Sequence, residues 1–530
     1  MSNGALPDYV SMAKPNPPGN RTPWYKSTAP TYAGIFLWFV FWQDAASGGG
    51  NTNEGICTLP GGILSQGVGL ALLGLIIAAL LCHFLFYLVP GLLGMKTGLP
   101  LYVVGTSTYG VQGGLFMPGF LMGILQFGWL GVNAYFSSLL LSSAFGGSPV
   151  AQKVIAILWA AGAAFVGLKG IQYVGKVATY LPLIPLAILL ILFVKTIGTV
   201  GDFNPETSIT AVKANNPNLI AEAAAKGKTI ELPTEALGSL GVIAMLITYV
   251  VGFFATAGAA GVDFGMGNRD KKDVSMGGLV GIAGAAIVTG GLAILIVAGA
   301  YGAANGADAT TLRASNLMAH IMGSEKIGAV MWFLLAVAAF PPACFSSFIA
   351  ANSFKTTLPK VNPFVSVGIG AAVSAVLAVT GWAGDVMAVF GVIGASFGPV
   401  CGAMAVDYLL TGQKWAGPRA GWNIAGWISW VVGFIVGMLP LVSSVKIPAA
   451  PLMAFIVGAV LYFALAKAGM ESKVLEIAAA PAEAPPEEAP AAAKPAPEKA
   501  PAEAEAAPKE APAEEAGQEK KEEGKEKKSE

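Results

Sequence analysis

Twelve apolar runs, separated by short polar or glycine- and proline-rich breaks, organise the first 470 residues. A helix needs about 20 apolar residues to cross a bilayer, and the runs meet that length closely. The pattern predicts span 1 at about 31–49, span 2 at about 63–93, span 3 at about 114–142, span 4 at about 152–168 and span 5 at about 171–197. A long polar connection, 198–237, follows. Span 6 is expected at about 238–260, span 7 at about 274–303, span 8 at about 327–352, span 9 at about 362–382, span 10 at about 385–410, span 11 at about 420–441 and span 12 at about 448–468. The runs are too long for strands and lack the two-residue alternation of a membrane barrel. The expected fold class is an all-α polytopic membrane protein with about 12 transmembrane helices.

Composition agrees. Of 530 residues 55% are hydrophobic and 12% charged, and the mean hydropathy is +0.65. A water-soluble globule carries roughly 25% charged residues. The formal net charge of 0 hides a split: residues 471–530 hold 16 Glu and 9 Lys, while the body holds 22 basic and 15 acidic groups. That final stretch mixes Ala, Pro, Glu and Lys. Repeated proline prevents a continuous helix and little bulky apolar surface is available to bury, so a disordered tail is expected, either a solvated appendage or a docking segment for a cytoplasmic partner.

Basic residues set the expected orientation. With the N-terminus in the cytoplasm, inner loops hold Lys96, Lys169, Lys176, Arg269, Lys271, Lys272, Lys355, Lys360, Lys414 and Arg419, against Lys153, Arg313, Lys326 and Lys446 in the short outer loops. An even number of spans then puts both termini inside. Residues 1–30 are polar and Pro-rich, and no short apolar run with a cleavage site suggests a signal peptide. Cys57, Cys82, Cys344 and Cys401 are scattered, which points to packing rather than to disulfides or a metal set.

Candidate chemistry is sparse and therefore informative. Asp44 lies inside Phe41-Trp42-Gln43-Asp44-Ala45-Ala46-Ser47-Gly48-Gly49-Gly50. A carboxylate at membrane depth costs about 3 kcal/mol on insertion scales and more in simulations. Asp44 is thus expected either to face a cavity or to lie near the surface where span 1 ends early. The Ser47-Gly48-Gly49-Gly50 run is a poor helix former and would free backbone groups for a ligand or ion. In span 6, Gly252-Phe253-Phe254-Ala255-Thr256-Ala257-Gly258 reads either as a break or as tight packing through small residues. Spans 1 and 6 are five apart, and paired interruptions in two halves of a chain point to a midplane site. In span 3, Gln126, Trp129 and Asn133 share one helix face. An indole can stack on a planar ring while carboxamides read its edge.

Several motifs together resemble a known family. Leu92-Leu93-Gly94-Met95-Lys96-Thr97-Gly98-Leu99, Tyr109-Gly110-Val111-Gln112-Gly113, Gln126-Phe127-Gly128-Trp129-Leu130-Gly131-Val132, Val251-Gly252-Phe253-Phe254 through Asp263-Phe264, and Gly398-Pro399-Val400-Cys401-Gly402 through Val406-Asp407-Tyr408-Leu409 are similar to the nucleobase–cation symporter-1 family, most of all to its cytosine permease branch, over roughly residues 30–465. The resemblance implies the LeuT-like fold: two inverted five-helix repeats, 31–197 and 238–411, with helices 1 and 6 broken. An extracytoplasmic loop at 198–237 and two extra helices at 412–470 complete the body. It implies a bacterial or archaeal cytoplasmic-membrane permease importing a purine, a pyrimidine such as cytosine, or a related heterocycle by cation symport. Trp129 matches the stacking tryptophan, Gln126 a polar substrate ligand, Asn133 a substrate-binding amide, and Phe254 and Thr256 the aromatic and hydroxyl of helix 6. Gln43 is a further candidate ligand in helix 1.

Helix 8 departs from the family pattern. Ala338 stands at an Asn that helps bind substrate, and Pro341-Pro342 at two hydroxyls that help bind sodium. The prolines would break the helix and expose carbonyls. Asp44, with Ser47, is then the candidate replacement, either as a cation ligand or as a proton carrier whose pKa burial raises. The coupling ion is left open between sodium and proton, and no other cofactor is expected. The alternative reading is an uncoupled facilitator, or a membrane sensor of the same fold that uses its tail. Nothing suggests an enzyme. His83 and His320 lack metal-ligand spacing, no phosphate-binding loop is present, and no basic aromatic surface suits nucleic acid.

Overall fold

A computed structural model describes residues 6–37, 59–143, 147–169, 181, 183–225, 235–304 and 317–476. Among these the chain is helical, with two isolated bridges, Thr22 with Asn268 and Arg419 with Val474. The start of span 1 is α1 (Thr28–Phe36). It is followed by α2 (Val68–Thr97), α3 (Thr106–Ser142), α4 (Pro149–Lys169), α5 (Leu183–Asp202), α6 (Ser239–Ala259), α7 (Lys271–Ala303), α8 (Glu325–Thr357), α9 (Pro363–Val379), α10 (Val386–Leu410), α11 (Ile424–Val442) and α12 (Ala450–Lys467). Ten of these are long and apolar enough to cross a membrane; α9 is apolar but shorter, and only the beginning of α1 is described.

Burial follows the requirements of a bilayer. The outer helices turn apolar side chains outward, as in Val154, Leu158 and Phe165 of α4 and Ile369, Val373 and Val376 of α9. Such a surface is stable only against lipid, since in water it would be an extended apolar patch. Most of α10 is buried instead, packed between α6, α11 and α12. Glycines permit the close approach: a Cβ on Gly252 of α6 would fall 2.6 Å from the Phe390 carbonyl oxygen of α10. Cys82, Cys344 and Cys401 are free and buried.

Several spans are locally irregular. Both α2 and α7 contain one wide turn, at Cys82–Tyr87 and Leu279–Gly284, and α3 leaves helical geometry at Gly110 (φ 82°). In α8 the break falls at Ala339, just before Pro341-Pro342. Two proline nitrogens there carry no hydrogen, so the carbonyls of Val337 and Ala338 have no donor four residues on.

Three sequence expectations change. The 252–258 stretch of α6 is continuous helix, and its glycines serve packing; the interruption comes at Ala260, before a short helix Gly261–Gly265. The carbonyl of Ala257, whose helical donor would follow that interruption, accepts a hydrogen bond from Tyr32 at 2.9 Å. The 198–237 connection contains a helix, Pro205–Ala225, in which Ile209 is buried. Its polar composition concealed good helix formers near its end, Ala221, Glu222 and Ala223 to Ala225. Finally, Glu471–Leu475, which composition assigned to the tail, pair with the loop between α10 and α11. The expected break at 44–50 lies outside the described residues.

Candidate functional site

Trp129 projects from α3 toward α6 and α10. Its indole N–H lies 3.3 Å from the Thr256 hydroxyl, across 127 residues of sequence. The ring meets Phe253 edge-on, with centroids 5.3 Å apart, and Phe390 at 5.4 Å. Phe390 is in turn braced edge-on by Tyr249 at 5.1 Å and by Phe253 at 5.6 Å. Edge-to-face contacts of this kind fix ring orientation, because the electropositive edge of one ring seeks the electronegative face of another. Among the described residues the indole is therefore held by one hydrogen bond and two aromatic neighbours.

Phe254 points elsewhere. One helical step of about 100° separates it from Phe253, and it stacks on Phe36 at 5.6 Å and approaches Tyr32 at 5.7 Å. The structure thus brings Thr256 to Trp129 but does not set Phe254 against it. Phe253 and Phe390 take that position, and sequence reasoning missed both. Phe253 was adjacent to a named candidate. Phe390 stood in an apolar run with no distinguishing neighbour, and only the α6–α10 packing reveals it.

Gln126 is buried, and among the described residues its carboxamide finds only the Met122 sulfur, at 3.6 Å. Thioether sulfur is a weak acceptor, so most of the carboxamide's capacity is unspent. Asn133 is the opposite case. Its NH2 donates to the Ala339 carbonyl at 3.0 Å, and its oxygen accepts from the Trp159 indole at 2.8 Å and from Ser137 at 3.4 Å. It ties α3 to α4 and to the break in α8. The face shared by Gln126, Trp129 and Asn133 exists, yet its far end is committed to structure.

In α8, Pro341 is buried, and Ser347 is buried with its hydroxyl bonded back to the Ala343 carbonyl at 3.2 Å. The break offers backbone oxygens, and no side-chain oxygen stands at 341 or 342. Gln43, Asp44 and Ser47 lie outside the described residues. The described part of the first span ends at Leu37, immediately after Phe36, which touches both Phe253 and Phe254. Among the described residues no group of His, Cys, Asp and Glu could hold a metal ion.

The described helices, ten of them long and apolar enough to cross a bilayer, define an integral membrane protein with the LeuT-like fold of the solved structures that follow. Two similar solved structures are of Mhp1, a nucleobase–cation-symport-1 family transporter. One is its closed conformation with bromovinylhydantoin bound (TM-score 0.56, 12% identity, covering 86% of this chain and 95% of that one). The other is its inward-facing conformation (TM-score 0.59, 14% identity, covering 89% and 97%). A third is the substrate-bound, outward-open state of a Na+-coupled sialic acid symporter (TM-score 0.53, 13% identity, covering 90% and 94%). No protein-family model matches the sequence, and no curated protein does.

Proposed function

We propose that the protein is a secondary transporter of the nucleobase–cation symporter-1 type, carrying a nucleobase or related planar heterocycle across the membrane by alternating access. The observation that carries this reading is the Trp129 indole, fixed by Thr256, Phe253 and Phe390 at the meeting of α3, α6 and α10, beside the under-used carboxamide of Gln126. A rigid indole next to an amide with unspent hydrogen-bonding capacity suits a flat ring with a hydrogen-bonding edge. The fold supports it, since one similar structure holds a hydantoin. In this reading Trp129 stacks on the ring and Gln126 reads its edge. Thr256 and Phe253 position Trp129, and Phe254 braces α1 against α6. Asn133 shapes the α8 break rather than touching substrate. Both termini are cytoplasmic.

Coupling runs through Asp44, with Ser47 and the α8 carbonyls near Pro341 and Pro342, to sodium or to a proton. The experiment is uptake into proteoliposomes of labelled purines, pyrimidines and hydantoins, with sodium and pH gradients imposed separately. Accumulation above equilibrium under one gradient is the expected result. No accumulation of any of these rings would remove the reading. Asp44→Asn is expected to leave substrate binding within a few-fold of the parent and to abolish concentrative uptake; full accumulation by that variant would remove Asp44 from the coupling path.

A second reading, an uncoupled facilitator, draws on one observation: position 338 is Ala, positions 341 and 342 are Pro, and the neighbouring Asn133 is already engaged. Equilibration without accumulation under either gradient is its signature.

A further inference from the structure

At the end of the bundle where α2, α10 and α12 terminate, the chain builds a polar cluster that the substrate site does not use. Asp407, near the end of α10, is 3% exposed. One of its carboxylate oxygens accepts from the hydroxyls of Ser107 (2.6 Å) and Thr108 (3.2 Å); the other accepts from Arg419 (2.9 Å) and lies 3.1 Å from the Tyr462 hydroxyl. Arg419, equally buried, reaches from the loop between α10 and α11. It also donates to the Ser107 carbonyl and, through its second terminal nitrogen, to Glu471 at 2.7 Å. Burial works against the guanidinium's charge, but Asp407, Tyr462 and Glu471 outweigh it and hold its pKa above the ordinary value.

The same loop replaces the helix hydrogen bonds that α3 loses at Gly110. Val111 N–H donates to the Arg419 carbonyl (2.8 Å) and Gln112 N–H to Gly421 (2.9 Å), while Asn423 donates to Tyr109 and Thr108. A side chain at Gly110 would collide with the Gly421 carbonyl, and φ of 82° disfavours one in any case. Residues 471–475 then lie along the outside of that loop. Ser472 N–H donates to the Asn423 side chain (3.0 Å), Ala420 N–H to Lys473 (2.8 Å) and Leu475 N–H to Pro418 (2.7 Å). From the other terminal segment, Tyr9 donates to the Val111 carbonyl.

We propose that Glu471–Leu475 is a strap that locks the kinked first turns of α3 in the arrangement seen here, and that its release opens this end of the transport path. The chain of contacts runs Glu471 to Arg419, Arg419 to Asp407 and the Ser107 carbonyl, and the 419–423 loop to Val111 and Gln112. The links past the first contain no strap atoms, so release of the strap is expected to weaken them without unfolding the bundle, which makes it a bias on an equilibrium. The word "path" rests on the transporter reading; the lock itself does not.

The test uses the full chain in lipid nanodiscs, with two readouts that need no substrate. One is hydrogen exchange of the Val111 and Gln112 amides. The other is thiol labelling of Cys401, buried on α10 two turns before the end, mapped by mass spectrometry. Glu471→Ala is expected to raise both rates about tenfold, with α12 amides unchanged. Leu475→Pro, which removes a strap donor without changing charge, should do the same. Truncation after Glu476, which keeps the strap, should leave both at parent values. Unchanged rates in Glu471→Ala and Leu475→Pro overturn the proposal. So does a rise spread equally over α12, which would make the segment ordinary structure. If the strap variants respond as expected while the parent transports none of the ring compounds, the lock stands and the transporter reading falls.

Discussion

Trp129, Asn133 and Gln126 show how differently three polar-capable side chains on one helix face can be used. The indole is anchored at one edge and leaves a half-buried ring. Stacking of a base on an aromatic side chain is worth about 1–3 kcal/mol by alanine substitution. Trp129→Ala is therefore expected to weaken heterocycle binding roughly 10- to 100-fold, at about 1.4 kcal/mol per tenfold. Calorimetric titration of a bound ring checks it, and an unchanged affinity would remove Trp129 from the site. Asn133 makes three hydrogen bonds. Its truncation strands the half-buried Trp159 indole donor, at a cost of up to about 1–3 kcal/mol, the range for a fully buried donor without a partner. Asn133→Ala is expected to lower the thermal midpoint by several degrees while affinity for the ring stays within about threefold of the parent. A large affinity loss without a stability loss would return Asn133 to the substrate site.

At the scale of elements, the contact between α6 and α10 decides the geometry around Trp129. Gly252 sits against the Phe390 backbone, and a methyl there would fall 2.6 Å from its carbonyl oxygen. Overpacking of a close contact costs typically about 1–3 kcal/mol. Gly252→Ala is expected to destabilise the protein in that range and to shift Phe390, quenching or shifting Trp129 fluorescence; a variant with parent stability and spectrum would show that the contact can yield. The α8 break illustrates a second element-level rule. Two adjacent prolines remove two donors, so the helix presents the bare carbonyls of Val337 and Ala338, and Asn133 bonds the next oxygen along, that of Ala339. Where α6 is interrupted, the Tyr32 hydroxyl donates to the Ala257 carbonyl.

Over the whole molecule, the segments flanking the bundle are gathered at one end. Asn16 donates to Met266, Arg21 to Met95, and Thr22 pairs with Asn268, while residues 471–475 bind the 417–423 loop. The Ala/Pro/Glu/Lys stretch begins only after this attachment. Removing residues 477–530 is expected to leave thermal stability and uptake within about 20% of the parent, an order-of-magnitude allowance for loss of a segment with little apolar surface to bury. Loss of uptake in that truncation, with the bundle still folded, would give the tail a part in transport.

The spans were legible in the chain because a bilayer admits so few solutions: every backbone amide must be satisfied within its own helix, and that demands long apolar runs of one length. The expected spans at 238–260, 385–410, 420–441 and 448–468 differ from the helices by a few residues at most. Trp129 and Thr256 were legible as candidates because polar and aromatic groups are conspicuous in so apolar a sequence. Which aromatic faces the indole was not legible. Phe253 and Phe254 are chemically identical neighbours, and only the rotation of α6 against α3 and α10 separates them. The same holds for Asn133, whose partners come from α4 and α8, and for Glu471, whose composition matches the tail while its partners, Arg419 and Tyr462, lie in the body. Hydropathy is a property of each segment alone, so sequence determined where the chain crosses the membrane. Pairing depends on contacts among residues tens to hundreds of positions apart, and the tertiary structure alone decided it.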